Sequence, residues 1–204
     1  MSLVIFALLP ITLDAKKIEG RIKADYLHTL GSAGHNALAD NYSYWAMELG
    51  SQLRYNFHSP FFVQGDIYIG FERRYKSETY GDDPFDSSYE QSEPWTSFIL
   101  GVNSMIGISG RNSSIPLLRH LEFSTGPDIH CRPFDPVVHF FTSIIPHEHV
   151  YTPVNVAWRF AFGVNFSRYS INFGYDVTLT NTVRKKFFNH RGLDTIRLGV
   201  AYAF

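Results

Sequence analysis

Residues 156–166 read Val-Ala-Trp-Arg-Phe-Ala-Phe-Gly-Val-Asn-Phe, and the order of those side chains decides the fold. Val156, Trp158, Phe160, Phe162, Val164 and Phe166 take every second position, with Ala157, Arg159, Ala161, Gly163 and Asn165 between them. A period of two belongs to an extended strand, whose successive side chains point to opposite faces. One face is bulky and apolar; the other is small and carries a charge. In a soluble barrel the apolar face would turn inward. Rings of this size on every strand would not fit inside a narrow barrel, so they are expected to face lipid. The small residues then leave room inside for Arg and Glu.

The same alternation runs along the rest of the chain. Ile18, Gly20, Ile22, Ala24 and Tyr26 oppose Glu19, Arg21, Lys23 and Asp25. Trp45, Met47, Leu49, Leu53 and Tyr55 oppose Glu48, Gln52 and Arg54; Val63, Ile67, Ile69 and Phe71 oppose Gln64, Asp66, Tyr68 and Glu72. Phe98, Leu100, Val102 and Ile106 face away from Ser97, Gly101 and Asn103, and Leu121 and Phe123 face away from His120, Glu122 and Ser124. Ile171, Phe173, Tyr175 and Val177 oppose Asn172, Gly174 and Asp176, and Ile196, Leu198, Val200 and Tyr202 oppose Thr195, Arg197 and Gly199. With the opening stretch this makes eight strands, each long enough to cross a bilayer at a tilt. The connections alternate as well. Those at 31–43, 76–94, 130–154 and 181–192 are long, whereas those at 58–60, 109–116 and 167–170 are short. Such asymmetry predicts an all-β, antiparallel up-and-down transmembrane barrel with both termini on the side of the tight turns.

Composition agrees. Hydrophobic residues make up 45% of the 204, yet mean hydropathy is only -0.12, so apolar and polar side chains are finely interleaved. No stretch of about 18 apolar residues exists to form a helical span. A net charge of -1 offers no field to recruit nucleic acid. Cys131 stands alone, which excludes an internal disulfide. The apolar run Leu3–Ile11 reads either as the core of a signal peptide over residues 1–15, lacking its basic leading segment, or as an apolar first strand. Residues 16–204 are expected to form a single barrel domain.

At the end of the chain, Leu198-Gly199-Val200-Ala201-Tyr202-Ala203-Phe204 resembles the C-terminal assembly signal of bacterial outer-membrane proteins. The strand count is likewise similar to that of the OmpA/OmpX-type small barrels. These resemblances imply a Gram-negative outer membrane and recognition of the Phe204 end by the barrel-assembly machinery. They speak to architecture and not to activity.

Four groups of residues bear on function. Glu19, Arg21, Lys23, Asp25, Glu48, Arg54, Asp66, Glu72, Arg74, Glu122, Asp128, Arg159, Asp176 and Arg197 share the inward parity. In a low-dielectric lumen they are expected to pair into a plug, because isolated charges there would each cost several kcal/mol; a narrow ion pathway is the alternative. His120, Glu122 and Ser124 alternate on one face and offer the ingredients of acyl transfer. They are weakly similar to the site of the PagL-type lipid A deacylases, although the His-to-Ser spacing of four departs from that family's two. Arg184, Lys185, Lys186 and Arg191 suit the phosphates of lipopolysaccharide at the outer rim. His130, Cys131, His139, His147, Glu148 and His149 are metal-ligand types without a structural-zinc spacing, and the acidic connection from Glu78 to Glu93 is too irregular for a calcium loop. The leading expectation is a monomeric, non-enzymatic barrel, without metal or cofactor, serving envelope integrity or surface binding. An acyl hydrolase and a narrow pore are the alternatives.

Overall fold

The computed structural model describes residues 17–29, 42–57, 60–80, 88–91, 95–133, 153–180 and 194–204, with the backbone alone for 42–44, 74–80, 88–91 and 95. The strands are β1 (Ile18–Thr29), β2 (Tyr42–Asn56), β3 (Phe61–Tyr80), β4 (Ser88–Gln91), β5 (Trp95–Ser109), β6 (Leu121–Cys131), β7 (Val154–Phe166), β8 (Tyr169–Thr178) and β9 (Thr195–Ala203). Every pairing is antiparallel: β4 pairs with β3 alone, β3 also pairs with β2 and β5, the other strands pair with those next to them in the chain, and β1 pairs with both β2 and β9. That last pairing, from Arg21 opposite Ala203 to Thr29 opposite Thr195, closes an eight-stranded ring. A closed ring leaves no edge with unpaired amides, the condition for crossing lipid as a sheet.

The burial pattern settles which face meets oil. Trp158 and Phe162 are 39% and 42% exposed on the outside of the ring, whereas Arg21 and Arg159 are 4% and 2% exposed within it. Along β1 the pattern alternates residue by residue from Arg21 to Thr29. An outer surface of Ile67, Ile106, Leu53 and Phe160 left in water would forgo roughly 1.5–3 kcal/mol per large side chain. Lipid is the solvent that removes this cost.

Three features depart from the expectations. The connection 76–94 is not wholly irregular: β3 runs on to Tyr80, and β4 pairs back onto Ser77–Tyr80. The alternation of extended residues continues past the ring, and antiparallel pairing satisfies the amides that would otherwise be free there. The turn expected at 109–116 extends to His120, as two 3-10 turns at Gly110–Asn112 and Leu117–His120. The interior also holds a large ring not named in the sequence reading, Phe62, buried with Tyr68, whose inward parity was expected. Glycine makes this possible: a Cβ at Gly101 would fall within the Tyr68 ring, and one at Gly107 would meet the Phe62 ring.

At the end carrying Lys17 and Phe204 the connections are short except for 110–120. Ser167 and Arg168 alone join β7 to β8, with Ser167 at a φ of 58°, the left-handed conformation such a tight hairpin demands.

Candidate functional site

The lumen is the candidate site, and the strand parity builds it. Each strand contributes every second residue, so charges far apart in sequence meet across a space only as wide as their side chains. At the end bearing the termini, Glu122 of β6 accepts from Arg54 of β2 and, at 3.2 Å, from Arg21 of β1. Asn165 donates to the same carboxylate at 2.8 Å, and Glu19 pairs with Arg21. The Arg54 guanidinium lies 3.6 Å from the centre of the Phe62 ring, a cation–π contact that covers one face of the cation. Arg111, from the turn between β5 and β6, reaches Glu19 at 3.2 Å at this same end.

One layer higher, Asp66 is the hub. It accepts from Lys23, from Gln52 at 2.9 Å and from Asn103 at 2.8 Å, while Lys23 also lies 3.3 Å from Asp25. The central layer is built on two arginines. Arg159 forks onto Asp176 at 2.8 and 3.2 Å and reaches Asp128 at 2.9 Å. Arg197 pairs with Glu48, with Asp25 at 2.9 Å and with Asp176 at 3.2 Å. The Tyr68 hydroxyl donates to Asp128 at 2.9 Å. Towards the long connections, Arg132 forks onto Glu72 and His130 stands 3.8 Å from Asp128.

Taking such ions out of water costs several kcal/mol each, so a lumen of this kind is stable only if nearly every charge has partners. Among the described residues, three buried side-chain atoms lack a hydrogen bond: Arg54 Nη2, Asn103 Oδ1 and Arg197 Nε. All three belong to side chains that are bonded elsewhere.

The inward residues of the sequence reading, from Glu19 and Arg21 through Lys23, Asp25, Glu48, Arg54, Asp66, Glu72, Glu122, Asp128, Arg159, Asp176 and Arg197, all lie in this lumen. The side chain of Arg74 is outside the described residues. Arg132 went unnoticed because it was assigned to a connection. Extending the parity of Glu122, Ser124, Asp128 and His130 by one step would have found it. Glu122 and Ser124 are both buried inside, but His120 is not with them. It is exposed in the 3-10 turn before β6, where its Nδ1 lies 2.8 Å from the Asn165 carbonyl oxygen. Pro116 opens that turn, and period-two parity holds only within the strand that begins at Leu121. The Glu122 carboxylate is taken up by two guanidinium groups. His139, His147, Glu148, His149 and the basic set Arg184, Lys185, Lys186 and Arg191 lie outside the described residues. Among the described residues no group of three or more His, Cys, Asp or Glu is placed to hold a metal ion.

An eight-stranded closed ring with apolar rings outside and paired ions inside defines a small transmembrane β-barrel of the outer-membrane type. Its backbone is similar to that of the Yersinia pestis outer membrane protein Ail in a phospholipid bilayer nanodisc, at 12% identity over 91% of this chain and 99% of that one, with a TM-score of 0.44. Similarity extends to the NanC porin, at 9% identity over 90% and 98% of the two chains (TM-score 0.30), and to the translocator domain of the autotransporter NalP from Neisseria meningitidis, at 10% identity over 92% and 88% (TM-score 0.28). No family model and no curated protein matches the sequence. The membrane assignment therefore rests on this chain's own residues.

Proposed function

We propose that this protein is a non-conducting barrel of a Gram-negative-type outer membrane, a stiff, ion-filled platform that holds its long outer connections for envelope integrity or surface binding. One observation carries the reading. Thirteen charged side chains are buried among the described residues, six cationic and seven anionic, and they pair with one another across the lumen. The Arg111–Glu19 contact supports closure at the end near the termini. In this reading the basic residues Arg184, Lys185, Lys186 and Arg191 meet lipopolysaccharide phosphates, and the Phe204 end engages the assembly machinery.

The test is electrical. The refolded protein in planar bilayers should show no stepwise conductance, and loosening the plug by Arg197→Ala with Arg159→Ala should create it. Steady unitary steps from the unmodified protein would overturn the proposal in favour of a pore.

A further inference from the structure

At the end of the barrel bearing Lys17 and Phe204, one connection is unlike the other two. Residues 110–120, Gly-Arg-Asn-Ser-Ser-Ile-Pro-Leu-Leu-Arg-His, join β5 to β6, where two residues suffice between β7 and β8. The segment holds two arginines, a histidine and no acidic residue. It is folded tightly: the Leu118 carbonyl sits where a Cβ on Gly110 would lie, and Arg119 Nε donates to the Ser113 carbonyl at 2.8 Å. One flank faces the mouth through Arg111 and Glu19. The other bends over the rim, where the His120 ring stacks on lipid-facing Phe166 with centroids 6.2 Å apart.

That second flank is apolar and uncovered. Ile115, Leu117 and Leu118 are exposed, Leu117 at 71%, in the segment whose last residue, His120, stacks on Phe166 of the belt that faces lipid. A basic, apolar surface joined to a membrane-facing band has the chemistry of an interfacial anchor, with aliphatic groups below the headgroups and cations at phosphate level. Arg168 of the neighbouring turn, bonded to Tyr202 at 3.4 Å, adds a further cation at the same rim. We propose that residues 110–120 form an anchor for anionic phospholipid of the adjoining leaflet: Ile115, Leu117 and Leu118 enter the acyl region, and Arg119 and Arg168 bind headgroup phosphate.

Full-length protein carrying Cys131→Ser and Leu117→Cys, labelled with an environment-sensitive fluorophore, is placed in nanodiscs of phosphatidylcholine alone or with phosphatidylglycerol. Quenching by brominated acyl chains should be at least about threefold greater with phosphatidylglycerol, quenching by aqueous iodide should fall, and Arg119→Gln with Arg168→Gln should remove the difference. Equal acyl-chain quenching in both discs overturns recognition of the anionic headgroup; equal and full iodide access in both overturns the anchor itself, a result that would fit a soluble protein partner. Because the label could perturb the turn, amide exchange over 111–120 is also followed in the unmodified protein. It should slow on adding phosphatidylglycerol, and unchanged exchange overturns the proposal.

Discussion

Replacing Arg159 by Met removes a guanidinium and keeps much of the stem's volume, so the consequence is chiefly electrostatic. Two carboxylates lose a partner: Asp176, held at 2.8 and 3.2 Å, and Asp128, held at 2.9 Å. Neither is wholly abandoned, since Asp176 keeps Arg197 at 3.2 Å and Asp128 keeps the Tyr68 hydroxyl at 2.9 Å. Breaking a buried pair typically costs about 3–5 kcal/mol, and the surviving contacts put this case at the low end, about 3 kcal/mol. At 1.4 kcal/mol per decade that is roughly a 100-fold fall in the folded-to-unfolded ratio. Reversible urea unfolding in phospholipid vesicles, followed by tryptophan fluorescence, measures it against Arg168→Met, an exposed cation in the tight β7–β8 turn. Adding Asp128→Asn to Arg159→Met should recover about 1 kcal/mol, because it neutralises one stranded charge while an acceptor for Tyr68 remains. Coincident unfolding midpoints for Arg159→Met and Arg168→Met would refute the idea that lumen pairing holds the barrel together.

The other expectations are more local. Gly101→Leu should collide with the Tyr68 ring and lower the yield of folded, heat-modifiable protein, and Tyr68→Ala in the same chain should restore it. Phe160→Arg, on the lipid face near the middle of β7, should cost about 2–4 kcal/mol in vesicles, whereas Ala157→Ser on the lumen face should change the unfolding midpoint little. Expression should leave the mass of lipid A unchanged, as should Ser124→Ala; a mass shift lost in that variant would revive acyl hydrolysis.

Much of the architecture is legible in the chain because a strand's sidedness is a local property. Ile22 and Lys23 face opposite ways whatever surrounds them, and lipid outside against ions inside selects which face is which. Legibility fails where strands stop. His120 shares the parity of Glu122 and Ser124 on paper but falls in a 3-10 turn, and Arg132 lies just past the last residue of β6 yet remains in the lumen. Strand ends depend on where the neighbouring strand ceases to offer hydrogen bonds, which no run of residues states by itself. The rings of Phe62 and Tyr68 make a related point: strand parity turns both inward, but the room for them comes from Gly107 and Gly101, each on a different strand from the ring it accommodates.

The order of residues by itself determined a closed, inside-out ring of eight spanning strands with long and short connections at opposite ends, since alternation and turn length are written locally. Only the tertiary structure decided which ions meet. Arg21 finds Glu122, 101 positions away, and Arg197 finds Asp25, 172 positions away. Those meetings follow from the stagger of strands around the ring, which sets the height of each side chain in the lumen, and height is a property of the assembled sheet rather than of any one strand.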